Sequence, residues 1–236
     1  MMKLLSFDIE ISDIFELKPH EDIEKYAPFH ISVASTALYQ GDEKIWHSAD
    51  SQNKPLLQMT QTTANDLLAY LKAKQDEGYC VCAWNGLKFD LQWIGYNARN
   101  MQLASEVALH MYDPMFQFFN QRGFPVGLAS VAKAMGIKQS KLMNSEDAPK
   151  QWQAGNYKKV MDYVLGDCQM TNLIANEIIK RKEIAWVTQK NEIKTERVQR
   201  LKTVSEILKE PEPDQSWMKT KLLRKSFYEW FPGTRK

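Results

Sequence analysis

The sequence predicts an α/β protein: a mixed sheet flanked by helices, with a basic C-terminal extension. Three observations lead there. Leu4–Ile11 alternates with a two-residue period, Leu5, Phe7, Ile9 and Ile11 on one side and Ser6, Asp8 and Glu10 on the other, which is the signature of a strand. Tyr157–Lys182 is a long stretch patterned at helical spacing. Between the two, strand-like and helix-like segments interleave, so helices layered on one sheet are expected.

The remaining elements follow in order. Residues 12–28 are polar, contain Pro19 and Pro28, and read as a long excursion. Phe29–Leu38 and Lys44–His47 read as two further strands around the turn Gln40-Gly41-Asp42. An amphipathic helix begins at Thr62 or Thr63 and runs to Lys74, Gly78 ends it, and Tyr79–Trp84 is a short buried strand. Asn85-Gly86 turns the chain into a helix starting near Phe89 or Asp90, and another strand is expected just before Asp113-Pro114. Gly127–Met135 is a short helix closed by Gly136.

Past Lys182 the character changes. Ile184–Val187 and Ile193–Val198 read as a polar hairpin, and Thr203 with Glu206 makes a capping box for a short helix. Pro211-Glu212-Pro213 then breaks regular structure before an aromatic, basic end. The expected division is a domain over residues 1–182 and a basic aromatic extension, 183–236, packed on or beside it.

The totals bound the function classes. A chain of 236 residues supplies one sizeable core, and its 25% charged residues are those of an ordinary globular protein. No stretch approaches the ~20 consecutive apolar residues of a membrane span. Asp8 comes too early for a secretory signal, so a cytoplasmic location is expected. Cys80, Cys82 and Cys168 cannot form a closed disulfide set. No second Cys or His pair stands at zinc-ligand spacing, so buried thiols are the better reading. The 31 Lys and Arg nearly balance 29 Asp and Glu, but Lys180–Lys236 holds fifteen bases against eight acids. Such a tail either meets phosphate or is simply solvated.

Three short motifs carry the chemistry. Asp8-Ile9-Glu10 projects two carboxylates from one face of a strand, so both can reach one cation from one edge. Asp22-Ile23-Glu24 repeats the spacing but reads as solvated surface. The first pair sits within an apolar strand, where unpaired carboxylates are costly. Asn85-Gly86-Leu87-Lys88-Phe89-Asp90 puts a carboxylate at the first turn of a helix, directly after a buried strand. Taken alone, Asp90 could be an ordinary helix-start acid. In the long helix, Tyr163 and Asp167 stand four apart and therefore share a face. Gly166 beside them costs about 1 kcal/mol relative to Ala in a helix, a sign of close packing or a nearby ligand.

In this order, the three motifs resemble those of the DnaQ-like, or DEDD, exonuclease superfamily with its ribonuclease H-like fold. The resemblance extends to Gly127–Gly136 and to Trp152, Tyr163, Asp167 and Thr171, over roughly residues 3 to 180. The DEDDh branch has a His where this chain has Asp162; Tyr163 is similar to the DEDDy branch instead. The Asn-Gly-x-x-Phe-Asp form looks most like family B DNA polymerase proofreading domains and similar stand-alone bacterial exonucleases. Pro213–Met218 also looks like those stand-alone proteins. One departure is Ile11, where many relatives have Thr. It puts contact with the terminal nucleotide in doubt, with Ser12 as a substitute.

The resemblance implies a 3′→5′ exonuclease that releases nucleoside 5′-monophosphates with two Mg²⁺ or Mn²⁺ ions. By the family pattern Asp8 bridges the ions, Glu10 and Asp167 bind the first, Asp90 supports the second, and Tyr163 orients the attacking water. Asn85 and Phe89 are the expected substrate contacts, with Ile11 and Ser12 beside them. The expected partner is nucleic acid with a free 3′ end, single-stranded DNA favoured over RNA. A polymerase or repair protein as partner, and the oligomeric state, stay open. So do a non-catalytic binding module on the same fold, an exoribonuclease and a metal-dependent endonuclease. For the tail aromatics Trp217, Phe227, Tyr228, Trp230 and Phe231, two uses are expected: docking the tail, or lining a single-strand path with its lysines.

Overall fold

The structure, a computed structural model, describes residues 2–16, 18, 21–138 and 143–234. Strand β1 (Leu4–Ile11) lies inside a sheet, antiparallel to β2 (Ile31–Leu38), which in turn pairs antiparallel with β3 (Glu43–Trp46). Helix α1 (Gln61–Asp76) crosses back to β4 (Cys80–Cys82), which runs parallel to β1 on its other side. Among the described residues the sheet order is β3-β2-β1-β4.

The alternation of β1 decides which layer covers which face. Leu5, Phe7, Ile9 and Ile11 join the main core with Leu67, Leu68 and Leu71 of α1. Leu91 and Ile94 of α2 (Asp90–Ala98) and Val107 of α3 (Met101–His110) complete it. The opposite, polar face is crossed by α7 (Tyr157–Arg181), which β1 and β2 fasten with small hydroxyls. The Ser6 hydroxyl donates to the Cys168 carbonyl at 2.7 Å, and that of Ser35 to the Val164 carbonyl at 2.9 Å. Asn172 Nδ2 reaches back to the Ala37 carbonyl at 2.8 Å.

One stretch differs from expectation. The strand foreseen before Asp113 is a helix, α3, followed by extended Met111 and by Tyr112, which is bridged to Cys82. Asp113 ends extension there, because its carboxylate accepts the Met115 and Phe116 amides and caps α4 (Pro114–Arg122) with proline in its first turn. The excursion at 12–28 is anchored at its neck, where the Ser12 amide and hydroxyl both donate to the His30 carbonyl, at 2.8 and 3.2 Å. It contains a short 3-10 turn, Ile23–Tyr26.

Helix α5 (Leu128–Met135) ends at Gly136 in the left-handed conformation, as its sequence predicts, and α6 (Ala148–Gln153) precedes α7. After α7, β5 (Glu183–Val187) and β6 (Ile193–Arg197) form an antiparallel hairpin, and α8 (Val204–Ile207) carries the Thr203/Glu206 capping box. The C-terminal residues are part of the main core. Phe227 packs 4.6 Å from the Phe119 ring, and Trp230 Nε1 donates to the Leu87 carbonyl at 2.7 Å. No helix among the described residues is long and apolar enough to cross a membrane.

Candidate active site

Three elements bring acidic side chains to one place. The first is β1, where Asp8 stands in register with Ser35 of β2, the residue that bonds the Val164 carbonyl of α7. Ser35 also lies 2.8 Å from Cys168 Sγ, so the turn of α7 between Tyr163 and Cys168 rests over β1 at Asp8. That turn carries Asp167, to which the Tyr163 hydroxyl donates a hydrogen bond. Glu10, two residues on, is buried on the same face of β1.

The third element is the start of α2. Strand β4 stops at Cys82, opposite Ser6, so it does not pair with the later part of β1. Asp90 enters there, where the nearby Ile9 amide offsets part of the rise that burial gives its carboxyl. Its own position is fixed from behind. Asn85 adopts a left-handed backbone at φ 63°, and a Cβ on Gly86 would stand 2.5 Å from that of Ala83. Buried Asp113 holds this turn by accepting the Asn85 amide at 3.2 Å and the Leu87 amide at 3.1 Å.

The electrostatics follow from burial and like charge. Burial raises Asp8 well above the usual carboxylate range, and the negative charges of Asp90, Asp167 and Glu10 add to it. Glu10 is raised by burial, then by Asp167 and Asp90. Asp90 is pushed up to about 8, by burial first and then by Asp113. The four acids therefore feel one another's charge. Tyr163 is raised far above its ordinary range by burial and by Asp167, Glu10 and Asp8, so its hydroxyl keeps its proton.

The sequence-predicted substrate contacts divide. Asn85 and Phe89 are half-buried in the turn that leads to Asp90, and the Phe89 ring packs against the main core, 5.8 Å from Phe29. Ile11 is buried in the main core, and the Ser12 hydroxyl is spent on His30. Neither side chain is open to a ligand. Asp113 was not singled out by the motifs, although Asp followed by Pro is a helix-start signature.

A family model describing the RNase H superfamily matches residues 22–179. The chain belongs to the RNase H superfamily. The match takes in β2 to α7, with Asp90, Tyr163 and Asp167, and begins after Asp8 and Glu10. The mixed sheet with helices on both faces is the fold of that superfamily, whose members are generally nucleases acting on nucleic acid. Comparison with curated proteins returns no match.

RNase H-like nucleases typically use divalent metals. Among the described residues no three acidic, thiol or imidazole groups form a ready-made cage. Magnesium does not need one, since it keeps waters and takes substrate phosphate oxygens alongside one or two carboxylates. Two features of the acid group fit such an ion. The donors are all oxygens, the hard ligands that Mg²⁺ and Mn²⁺ prefer. Asp90 Oδ1 is buried with no hydrogen-bond partner, a state that costs about 1–3 kcal/mol unless something meets it.

Proposed function

We propose that this chain is a 3′→5′ exonuclease that cuts nucleoside 5′-monophosphates from nucleic acid, with single-stranded DNA favoured over RNA. The observation that carries this reading is the meeting of Asp8, Glu10, Asp90 and Asp167 from three elements, the first three each raised by burial first and each also by the charge of Asp167. A protein has no structural reason to bury so many like charges together. The DEDDy resemblance supplies the reaction class.

These four carboxylates would hold two Mg²⁺ or Mn²⁺ ions, which supply charge neutralisation for the attacking and leaving oxygens of the phosphodiester. The chain's own residues do the rest. Tyr163, protonated and tied to Asp167, orients the attacking water by hydrogen bonding and is not its base. Asn85 would hydrogen-bond the terminal phosphodiester and Phe89 would press on the last base, as single strands are gripped by stacking. The rigid turn beneath them, held by Asp113, keeps Asp90 aligned with β1.

The test uses 5′-labelled single-stranded DNA and RNA, with and without Mg²⁺, and Asp167→Ala as control. A ladder shortening from the 3′ end, with DNA cut faster than RNA and Asp167→Ala inactive, is expected. Equal activity in the mutant would remove Asp167 from the site. Cleavage of a substrate with a blocked 3′ end would make the chain an endonuclease instead.

A further inference from the structure

The aromatic, basic end of the chain divides into a buried part and an exposed part. Phe227 and Trp230 are buried in the main core. Trp217 is 62% exposed and Leu223 68% exposed, and Lys219, Lys221 and Lys225 are exposed between and beside them. None of the three lysines comes within ion-pair distance of an acid among the described residues, although the charge of Lys221 helps hold Asp214 low. Glu212 pairs with Arg224 at 3.1 Å, and Asp214 accepts the Ser216 amide at 2.9 Å.

Trp217 is also fixed in place. Its indole N–H donates to the Asp214 carbonyl at 3.2 Å, and its ring stands edge-on to Phe124, centroids 5.9 Å apart. The Phe124–Val126 loop links this ring to the turn that begins at Asn85. On its other side Trp84 Nε1 donates to the Val126 carbonyl at 3.1 Å, and Trp84 directly precedes Asn85. A pre-set, exposed indole among exposed ammonium groups, joined by one loop to the residue before Asn85, matches one polymer. That polymer offers flat apolar faces and a phosphate at every step.

We propose that residues 217–225 form a strip that grips single-stranded DNA ahead of its 3′ end, one base stacking on Trp217 and the phosphates meeting Lys219, Lys221 and Lys225. The exonuclease reading sets the direction in which the strand lies; the grip itself does not depend on cleavage.

The test is fluorescence anisotropy of a labelled oligothymidylate with the full chain in EDTA, across a salt series. Trp217→Ala should weaken binding roughly five- to 150-fold, the range that one base stacked on an aromatic ring represents, and Trp217→Phe should restore most of it. The triple variant K219Q/K221Q/K225Q should lower the slope of log affinity against log salt by about 2. Unchanged affinity and slope in variants that melt like the wild type would overturn the proposal. Tighter binding of oligouridylate than of oligothymidylate would overturn its choice of DNA. If Trp217→Ala leaves binding intact but lowers the sedimenting mass, the strip is a contact between copies of this chain and the proposal falls. Strong binding in EDTA by a chain that cuts nothing would sink the exonuclease reading alone.

Discussion

Asp90 keeps one carboxylate oxygen buried and unbonded, and its pKa near 8 gives that oxygen a measurable consequence. Between about pH 4 and about pH 8 the unfolded chain releases the Asp90 proton and the folded chain retains it. The folded state then binds more protons, so stability falls as pH rises through this window. Without divalent cation, Asp90→Asn should therefore melt above the wild type near pH 8.5. The gain should be at least about 2–4 °C, what roughly 1 kcal/mol gives in a protein of this size. Near pH 4 it should show no gain. Calorimetry at both pH values checks this, and a gain of the same size at both would mean that the effect is not ionisation. Tyr163 makes a different prediction. Tyr163→Phe should reduce turnover by about 10- to 100-fold, the usual effect of losing a supporting hydrogen bond at such a site. Because the hydroxyl stays protonated, the shape of the pH–rate profile should not change; a lost alkaline limb would make Tyr163 a base.

At the scale of elements, the site is held by groups that do no chemistry. The Asp113 carboxylate serves four backbone amides at once, two in the turn before Asp90 and two at the start of α4. Asp113→Ala leaves those amides without their acceptor and should destabilise by about 2–4 kcal/mol, read as a lower urea midpoint at unchanged slope. Much of this level was legible in the sequence. Strand β1, helix α7, the Gly136 stop and the Thr203 box all depend on local periodicity or capping, which a few neighbouring residues express. Helices α3 and α4 were not. In α4, Met115, Phe116, Phe118 and Phe119 are all buried, so no polar face marks the helical period and the aromatic run reads equally well as a strand. The bond from the Ser12 hydroxyl to the carbonyl of His30, eighteen residues away, is likewise a contact that no local pattern expresses.

At the scale of the whole molecule, the C-terminal segment completes the main core and braces the turn that precedes Asp90. Trp230 bonds the Leu87 carbonyl within the turn that presents Asp90, a contact spanning 143 residues that no local pattern could announce. Trp230→Ala should cost about 3–5 kcal/mol, as large aromatic truncations in cores do, and should lower activity along with melting temperature. A variant that melts normally would show that the tail is not needed for the fold. The account rests on the four acids forming a single cation centre. The most direct measurement is anomalous diffraction from crystals soaked in Mn²⁺. Strong peaks among the carboxylates of Asp8, Glu10, Asp90 and Asp167 are the predicted result. An empty acid group in a crystal that binds Mn²⁺ at other positions, such as Asp22 and Glu24, would contradict it.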